Sequence, residues 1–474
     1  MVSLPDAAET GRTVLPLTPG QHLLDFLESI RPGGAAEAFN ISFRLTVDGP
    51  LDRNRLFGAV ARSVERHEAL RTAVVRGRGM AEQVIGSDTE PETTVERVPP
   101  ASPGSSWAEP GIEEVLVEYN NAPFDLTRPP LVRVLLLENE SDERRLLQVT
   151  VHHSVADAWS LEVLKRDIGR FYRSAAGLEP DPAPPEVHYG QLVREELAAL
   201  ESPEACAARA FWPDYVGSLE VLQIAGKNAG QWQDRAITCR GDRGLKPSES
   251  AAVRTLAGRL RATPFMVIAA AYGLTVGHLG GCDAYLLPTF THGRRDPRFH
   301  ESVAMLFNPF VIKFHWSPEM SFADLVASFK QNCLMAYRFQ WYPFIEVLEI
   351  CPELSVALID PNSALFPVQM LNVPKVPVGE ALFGPDCVAA EYALHRTSMG
   401  NVLPIDGMLT IKGTQEAMAM TFNAARRLWN DELASAMCAT VVDVCVEASG
   451  NPGIALRQLV GTIDRRFHGT LWSA

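Results

Sequence analysis

The chain has 474 residues, 46% of them hydrophobic and 21% charged, and a formal net charge of −14. This is the balance of an ordinary globular protein long enough to bury two cores. Its acidity argues against nucleic acid as the main partner, since phosphate binding needs a basic surface, and residues 1–10 lack the basic start and apolar run of a secretory leader.

Residues 40–47 (NISFRLTV) alternate as a half-buried strand, ended by Asp48, Gly49 and Pro50. Asp52 then caps a helix with Leu56, Val60 and Val64 on one face. A Pro- and Ser-rich stretch at 99–110 reads as a surface loop, and residues 131–137 and 145–151 as two more strands. The next helix starts near Asp157 and aligns Leu161, Leu164, Ile168 and Phe171. Residues 178–187 (LEPDPAPPEV) hold too much proline for helix or strand and mark the main boundary. The expected organisation is an N-terminal lobe over 1–180, a connecting segment over 181–205 and a C-terminal lobe over 206–474.

In the second half, Thr263 and Pro264 open an apolar helix reaching residue 279, too short to span a bilayer and interrupted by Gly273, Gly277 and His278. Ser321 opens another, with Phe322, Leu325, Val326 and Phe329 inward, and Asn430 a last one with Leu433, Met437 and Val441. Strands mixed with helices in both halves predict two layered α/β lobes. The cysteines, at 206, 239, 282, 333, 351, 387, 438 and 445, form no CxxC pair and have no histidine at zinc-ligand spacing. They predict reduced thiols in a cytoplasmic protein, with no metal site.

The chemistry concentrates in residues 146–172 (LLQVTVHHSVADAWSLEVLKRDIGRFY). A strand ends at His152–His153, and a turn leads into the helix. Adjacent strand residues point to opposite sides, so one histidine faces packed interior and the other an opening. Asp157 can cap the helix or pair with a nearby cation. Imidazole, with an ordinary pKa of about 6.5, can accept and return a proton at working pH. An amine or hydroxyl attacking a thioester must lose a proton, and the thiolate already leaves well. Positioning plus one base therefore suffices, and no serine or cysteine here sits in a G-x-S-x-G setting. A satisfied core histidine accounts for the same residues, so the motif alone leaves catalytic and structural readings open. A metal site lacks a third ligand.

Residues 152–160 (HHSVADAWS) resemble the HHxxxDGxS signature of nonribosomal peptide synthetase condensation domains. Five further blocks agree, in the family's order. Residues 15–21 (LPLTPGQ) are similar to the opening motif and residues 66–72 (RHEALRT) to RHExLRT. Gly293-Arg294 with residues 304–313 (AMLFNPFVIK), Tyr342-Pro343-Phe344, and residues 366–372 (FPVQMLN) resemble the later blocks. The resemblance implies two chloramphenicol acetyltransferase-like lobes in a V, each a mixed sheet with flanking helices. It also implies an active-site tunnel between them and a segment near 360–400 crossing towards the N-terminal lobe. The candidate catalytic residues it implies are His153, His152 and Asp157, with His153 carrying function and His152 usually structural. Asp157 would pair with Arg294 as a brace of the loop, not act as a base. Ala158, Ser160 and Asn308 are the candidate oxyanion or tunnel contacts. Whether His153 abstracts a proton or mainly positions the nucleophile stays open.

Three departures stand out: Ala158 and Ala304 replace usual glycines, and Lys313 a usual arginine. Alanine keeps the backbone N–H and serves if its φ is negative. The resemblance implies a free-standing condensation enzyme of natural-product biosynthesis. It would transfer an acyl or aminoacyl group from a carrier-protein phosphopantetheine thioester to an amine or alcohol acceptor. Phosphopantetheine comes with the carrier protein and no cofactor stays bound; neither nucleic acid nor membrane is an expected partner. An acidic carrier asks for a local basic region, for which Arg294, Arg295 and Arg298, or Arg426 and Arg427, are candidates. The alternatives are an acyl-CoA-dependent acyltransferase of the same superfamily and a non-catalytic docking platform. Absence of a DFGWG-like element counts against the plant-type branch of the first, and the intact His153 and Asp157 against the second.

Overall fold

A computed structural model describes residues 13–30, 39–76, 81–98, 107, 110–139, 143–223, 237–360, 363–394, 405–413, 417–426 and 428–467. The chain divides into two compact units. One takes Met1–Ser202, His292–Phe307 and Val373–His395; the other takes Pro203–Thr291, Asn308–Asn372 and Arg396–Ala474. The stretch at 178–188 runs without helix or strand, and the helix that follows it, Tyr189–Ala199, stays with the first unit. The reason is local: Leu192 and Val193 are buried in the first core, and Glu68 accepts the Gly190 N–H at 3.0 Å. The loop expected over 99–110 lies, apart from Trp107 and Pro110, outside the described residues.

The first unit is built on a mixed five-stranded sheet, ordered Val388–Glu391, Asn40–Asp48, Arg144–His152, Val132–Asn139 and Glu92–Val98. Glu92–Val98 runs parallel to its neighbour and the other pairs are antiparallel. Burial explains the apolar density of the middle strands. Val132, Val134, Leu136, Leu147, Val149 and Val151 join the main core, while Leu135, Leu137 and Leu146 pack on the opposite face with Ile112 and Leu116. Period-two alternation is intact there, but both faces are covered, so the strands read as continuous hydrophobic runs. Helix Ala158–Ala175 packs with Arg53–Arg66 on the main-core side. The Val373–His395 segment fastens onto that helix. Lys165 Nζ bonds Glu162 at 2.9 Å and Glu391 at 3.0 Å, and the Val376 N–H donates to Glu162. A three-stranded antiparallel sheet, Thr13–Pro16, Ala81–Ile85 and Thr72–Arg76, completes this unit.

The second unit carries a four-stranded sheet, ordered Val368–Met370, Gly407–Gly413, Met418–Ala425 and Ile237–Gly244, and the strand pair Ala284–Thr291 and Asn308–His315. Its helices start where side-chain oxygens cap them. Thr263 accepts from Met266 N–H, Asn430 from Leu433 N–H, and Ser321 forms a reciprocal capping box with Asp324. Helix Asp431–Gly450 is long and apolar enough to cross a membrane by length and composition. Here it packs against Ile237–Gly244, Pro264–Leu279 and Leu456–Phe467 with Met437, Val441 and Val444 fully buried. The eight cysteines are free thiols, and six of them are buried.

Candidate active site

His152 is the last residue of its strand, opposite Asn40. Its ring is buried, meeting Phe39 and Phe124 edge-on. Nδ1 accepts the Ser154 N–H at 3.1 Å and lies 2.8 Å from the Ser154 hydroxyl. Burial above all, with the neighbouring His153 and Arg133, depresses its pKa to about 3. The ring is a neutral pin for the turn.

His153 leaves the strand, its N–H donating to the Phe39 carbonyl at 2.6 Å. Its side chain is half-buried, and the two ring nitrogens differ. Nδ1 is enclosed without a hydrogen-bond partner, whereas Nε2 is not enclosed and meets no protein partner, so it is the nitrogen left open. Burial lowers the pKa; the Asp157 charge and the His153 and Ala156 carbonyls oppose that shift only in part. The imidazole is therefore neutral at pH 7, and Nε2 can act as an acceptor if the proton sits on Nδ1.

Asp157 caps helix Ala158–Ala175 and accepts from six donors. Oδ1 takes the Ser160 N–H (2.9 Å), the Ser160 hydroxyl (2.8 Å) and Arg294 Nη2 (3.0 Å). Oδ2 takes Arg294 Nη1 (2.6 Å) and the N–H groups of Leu306 (3.1 Å) and Phe307 (3.2 Å). Burial alone would raise this carboxyl, but the Arg294 charge and these hydrogen bonds outweigh it and hold the pKa below the usual range. Capping the helix and pairing with a cation, open alternatives in the sequence, are both realised.

Arg294 is buried, with Nη1 also donating to the His292 carbonyl and Nη2 to the Ser160 hydroxyl, and its guanidinium lies 5.4 Å from the Trp159 ring centroid. Gly293 makes the approach feasible: φ is +70°, and a Cβ there would come 1.7 Å from the Leu306 carbonyl oxygen. Ser160 Oγ is buried and fully engaged by Asp157, Arg294 and both backbone groups of Ala304.

Ala158 is the exposed first residue of its helix. Among the described non-glycine residues only Arg261 has positive φ, so Ala158 meets the condition set for it, and its N–H has no acceptor among the described residues. Asn308 belongs to the second unit. Its Nδ2 donates to the carbonyls of Gln340 and Tyr342, both at 2.9 Å, and its Oδ1 accepts the Phe344 N–H, also at 2.9 Å. Two sequence blocks, 304–313 and Tyr342-Pro343-Phe344, thus meet, and the amide is spent on backbone. Lys313 places its ammonium 5.3 Å from the Tyr215 ring centroid.

Other motif residues support the turn from behind. Gln21 Nε2 donates to the Ser154 carbonyl (3.2 Å), to Gln83 and to Tyr189. Arg66 and His67 both bind Asp167 on the site helix at 2.9 Å, and Asp167 is held near pKa 2: burial would raise it, but His67 and Arg166 outweigh that. Asp167 and Phe307 had no individual signal in the sequence, because the partners they meet, Arg66 and His67 for the one and Asp157 for the other, lie a hundred or more residues away. Of the basic candidates, Arg294 is consumed by Asp157, and Arg298 pairs with Glu195 (2.9 Å) and Asp296 (2.7 Å). Arg427 lies outside the described residues. Among the described residues, no group of three or more His, Cys, Asp or Glu is placed to hold a metal ion.

The sequence model described as Condensation domain matches residues 11–466. The chain belongs to the condensation-domain family. Similar proteins are synthetases of nonribosomal peptides, and the family role is condensation by acyl transfer. Surfactin synthase subunit 2 of Bacillus subtilis (strain 168) is 24% identical over 448 residues, covering 93% of this chain and 12% of that protein. Phosphinothricin tripeptide synthetase PhsC of Streptomyces viridochromogenes is 28% identical over 344 residues, 71% of this chain and 31% of that one. The chain thus spans less than a third of either relative's length. Among solved structures, the SgcC5 protein of Streptomyces globisporus superposes with a TM-score of 0.77 at 23% identity, covering 93% of this chain and 100% of that one. The fold is that of condensation domains, chloramphenicol acetyltransferase-like in each of its two units.

Proposed function

We propose that this condensation-domain protein is a free-standing cytoplasmic enzyme. It transfers an acyl or aminoacyl group from a carrier-protein phosphopantetheine thioester to an amine or alcohol, with His153 at the reacting centre. The observation that carries this reading is the contrast between the motif's two titratable groups. Every acceptor position of Asp157 is engaged, whereas His153 keeps Nε2 open on a neutral ring.

In this mechanism Nε2 accepts the hydrogen of the attacking N–H or O–H and aligns the nucleophile's lone pair on the thioester carbon. As the new C–N or C–O bond forms, the carbonyl oxygen gains negative charge. The C–S bond then breaks, and the proton held at Nε2 passes to the departing thiolate. We assign the oxyanion to the Ala158 N–H, unpartnered at the start of an 18-residue helix whose dipole favours negative charge there. Asp157 and Arg294 act as the brace. Ser160 and Asn308 support backbone, since their polar atoms are already engaged.

The alcohol arm draws on SgcC5, whose crystal structure contains (R)-(-)-1-(2-naphthyl)-1,2-ethanediol. The amide arm draws on the peptide synthetases among its relatives. The test is intact-protein mass spectrometry of acyl-loaded carrier proteins, run beside the matching acyl-CoAs, with panels of amines and alcohols. Enzyme-dependent loss of the acyl mass from the carrier, with a new amide or ester, is the expected result. Transfer from acyl-CoA alone would replace the carrier with coenzyme A as donor. Transfer from neither, with tight binding to another biosynthetic enzyme, would establish a docking platform instead.

A further inference from the structure

Among the described residues no side chain hydrogen-bonds the His153 ring, which has only the nearby His153 and Ala156 carbonyls as weak polar neighbours. Nδ1 is enclosed without a well-formed hydrogen bond, and Nε2 has no side-chain partner among the described residues. The terminal torsion of a histidine is broad, so packing must select the direction in which Nε2 points. The ring against it is Phe307, with centroids 5.7 Å apart and planes at 47°. Phe307 is itself tethered: its N–H and that of Leu306 donate to Asp157 Oδ2 at 3.2 and 3.1 Å. From the other side Gly293 closes on the Leu306 carbonyl so tightly that no side chain fits between them. Asp157 thus reaches the Phe307 backbone while making no hydrogen bond to the imidazole.

We infer that Phe307 is a positioning residue for the reaction: the Asp157–Arg294 pair fixes the main chain at Leu306–Phe307, and the Phe307 ring sets the direction in which His153 presents Nε2. This rests on the reading of His153 as the reacting residue. The brace then acts on catalysis through an aromatic contact, in contrast to a triad, where a carboxylate bonds the imidazole directly.

The test uses the whole protein with ¹⁵N-labelled histidine, the His153 resonances being assigned by their loss in His153→Gln. In the parent protein the His153 ring stays neutral as pH falls below 6.5. In Phe307→Ala, with the Asp157 and Arg294 charges in place, the His153 titration moves up towards about 6.5 and its nitrogen shifts move towards a tautomer average. With a substrate pair that turns over, kcat falls about tenfold while KM changes little, and Phe307→Leu recovers most of both effects. A folded Phe307→Ala protein with parental His153 titration and shifts overturns the inference. Should that variant fail to fold, the same parental behaviour in Phe307→Val overturns it equally. Because the spectra need no turnover, the two readings separate. Shifts as described in a protein without acyl-transfer activity would keep the positioning role and discard the proposed function. His153-dependent turnover indifferent to Phe307 would do the reverse.

Discussion

His152 and Glu196 give the first unit two titrations of opposite sign. With the His152 pKa at about 3 in the folded protein and about 6.5 when unfolded, the unfolded chain binds the extra proton between those values. Stability is therefore lost as pH falls through that window, by up to about 1.4 kcal/mol per pH unit. His152→Asn, whose Oδ1 can still accept the Ser154 N–H, should flatten the slope of urea-unfolding stability from pH 6.5 to 4 by about one proton. An unchanged slope would mean that His152 is not held neutral. Glu196 runs the other way: burial lifts its carboxyl to about 8, and Oε2 is enclosed without a partner. Its neutral form is favoured by folding, so stability is fully present below the ordinary carboxyl pKa and is lost as pH rises towards 8. Glu196→Gln should raise the melting temperature at pH 8 and change it little at pH 4. Equal effects at both pH values would contradict this. At this scale the sequence was legible for residue type and silent on partners. His153 and Asp157 could be singled out, but Glu196 and Phe307 become conspicuous only through what surrounds them.

Elements were legible where their signals are local. Asp52, Asp157, Thr263, Ser321 and Asn430 each start the helix expected of them, because an N-cap bonds an N–H three residues on. The strand at 40–47 is present as Asn40–Asp48, and those at 131–137 and 145–151 extend to Val132–Asn139 and Arg144–His152. The family resemblance supplied the pairing of Asp157 with Arg294, 137 residues away; illegible was the way the same carboxylate also holds the Leu306 and Phe307 N–H groups. Two predictions belong to this junction. Asp157→Ala leaves the Arg294 guanidinium buried without its counter-charge and frees the Leu306 and Phe307 N–H groups. It should cost about 3–5 kcal/mol in chemical unfolding, and parental stability would refute the brace. Gly293→Ala must relieve a contact with the Leu306 carbonyl and tolerate φ of +70°, so it should lower both melting temperature and turnover. Alanine at Gly258, where a Cβ meets nothing within 4 Å, is the control expected to be neutral or stabilising.

For the whole molecule, ordered motifs spread along the chain identified the family, because each is a short run whose spacing survives divergence. The assignment of segments to the two units was harder to read. The crossing expected near 360–400 is seen as Val373–His395, whose strand Val388–Glu391 pairs with Asn40–Asp48, whereas the return of His292–Phe307 to the first unit was not read from the sequence. Helix Asp431–Gly450 likewise mimics a membrane span in sequence, while Met437, Val441 and Val444 lie fully buried in the second core. The central claim is that acyl transfer runs through the open nitrogen of His153. It is tested most directly by the single-turnover rate of acyl loss from a loaded carrier protein to its acceptor, for parent and His153→Ala. The account predicts a variant with parental unfolding behaviour and a rate at least about a hundredfold lower. A folded variant that transfers the acyl group at the parental rate would contradict it.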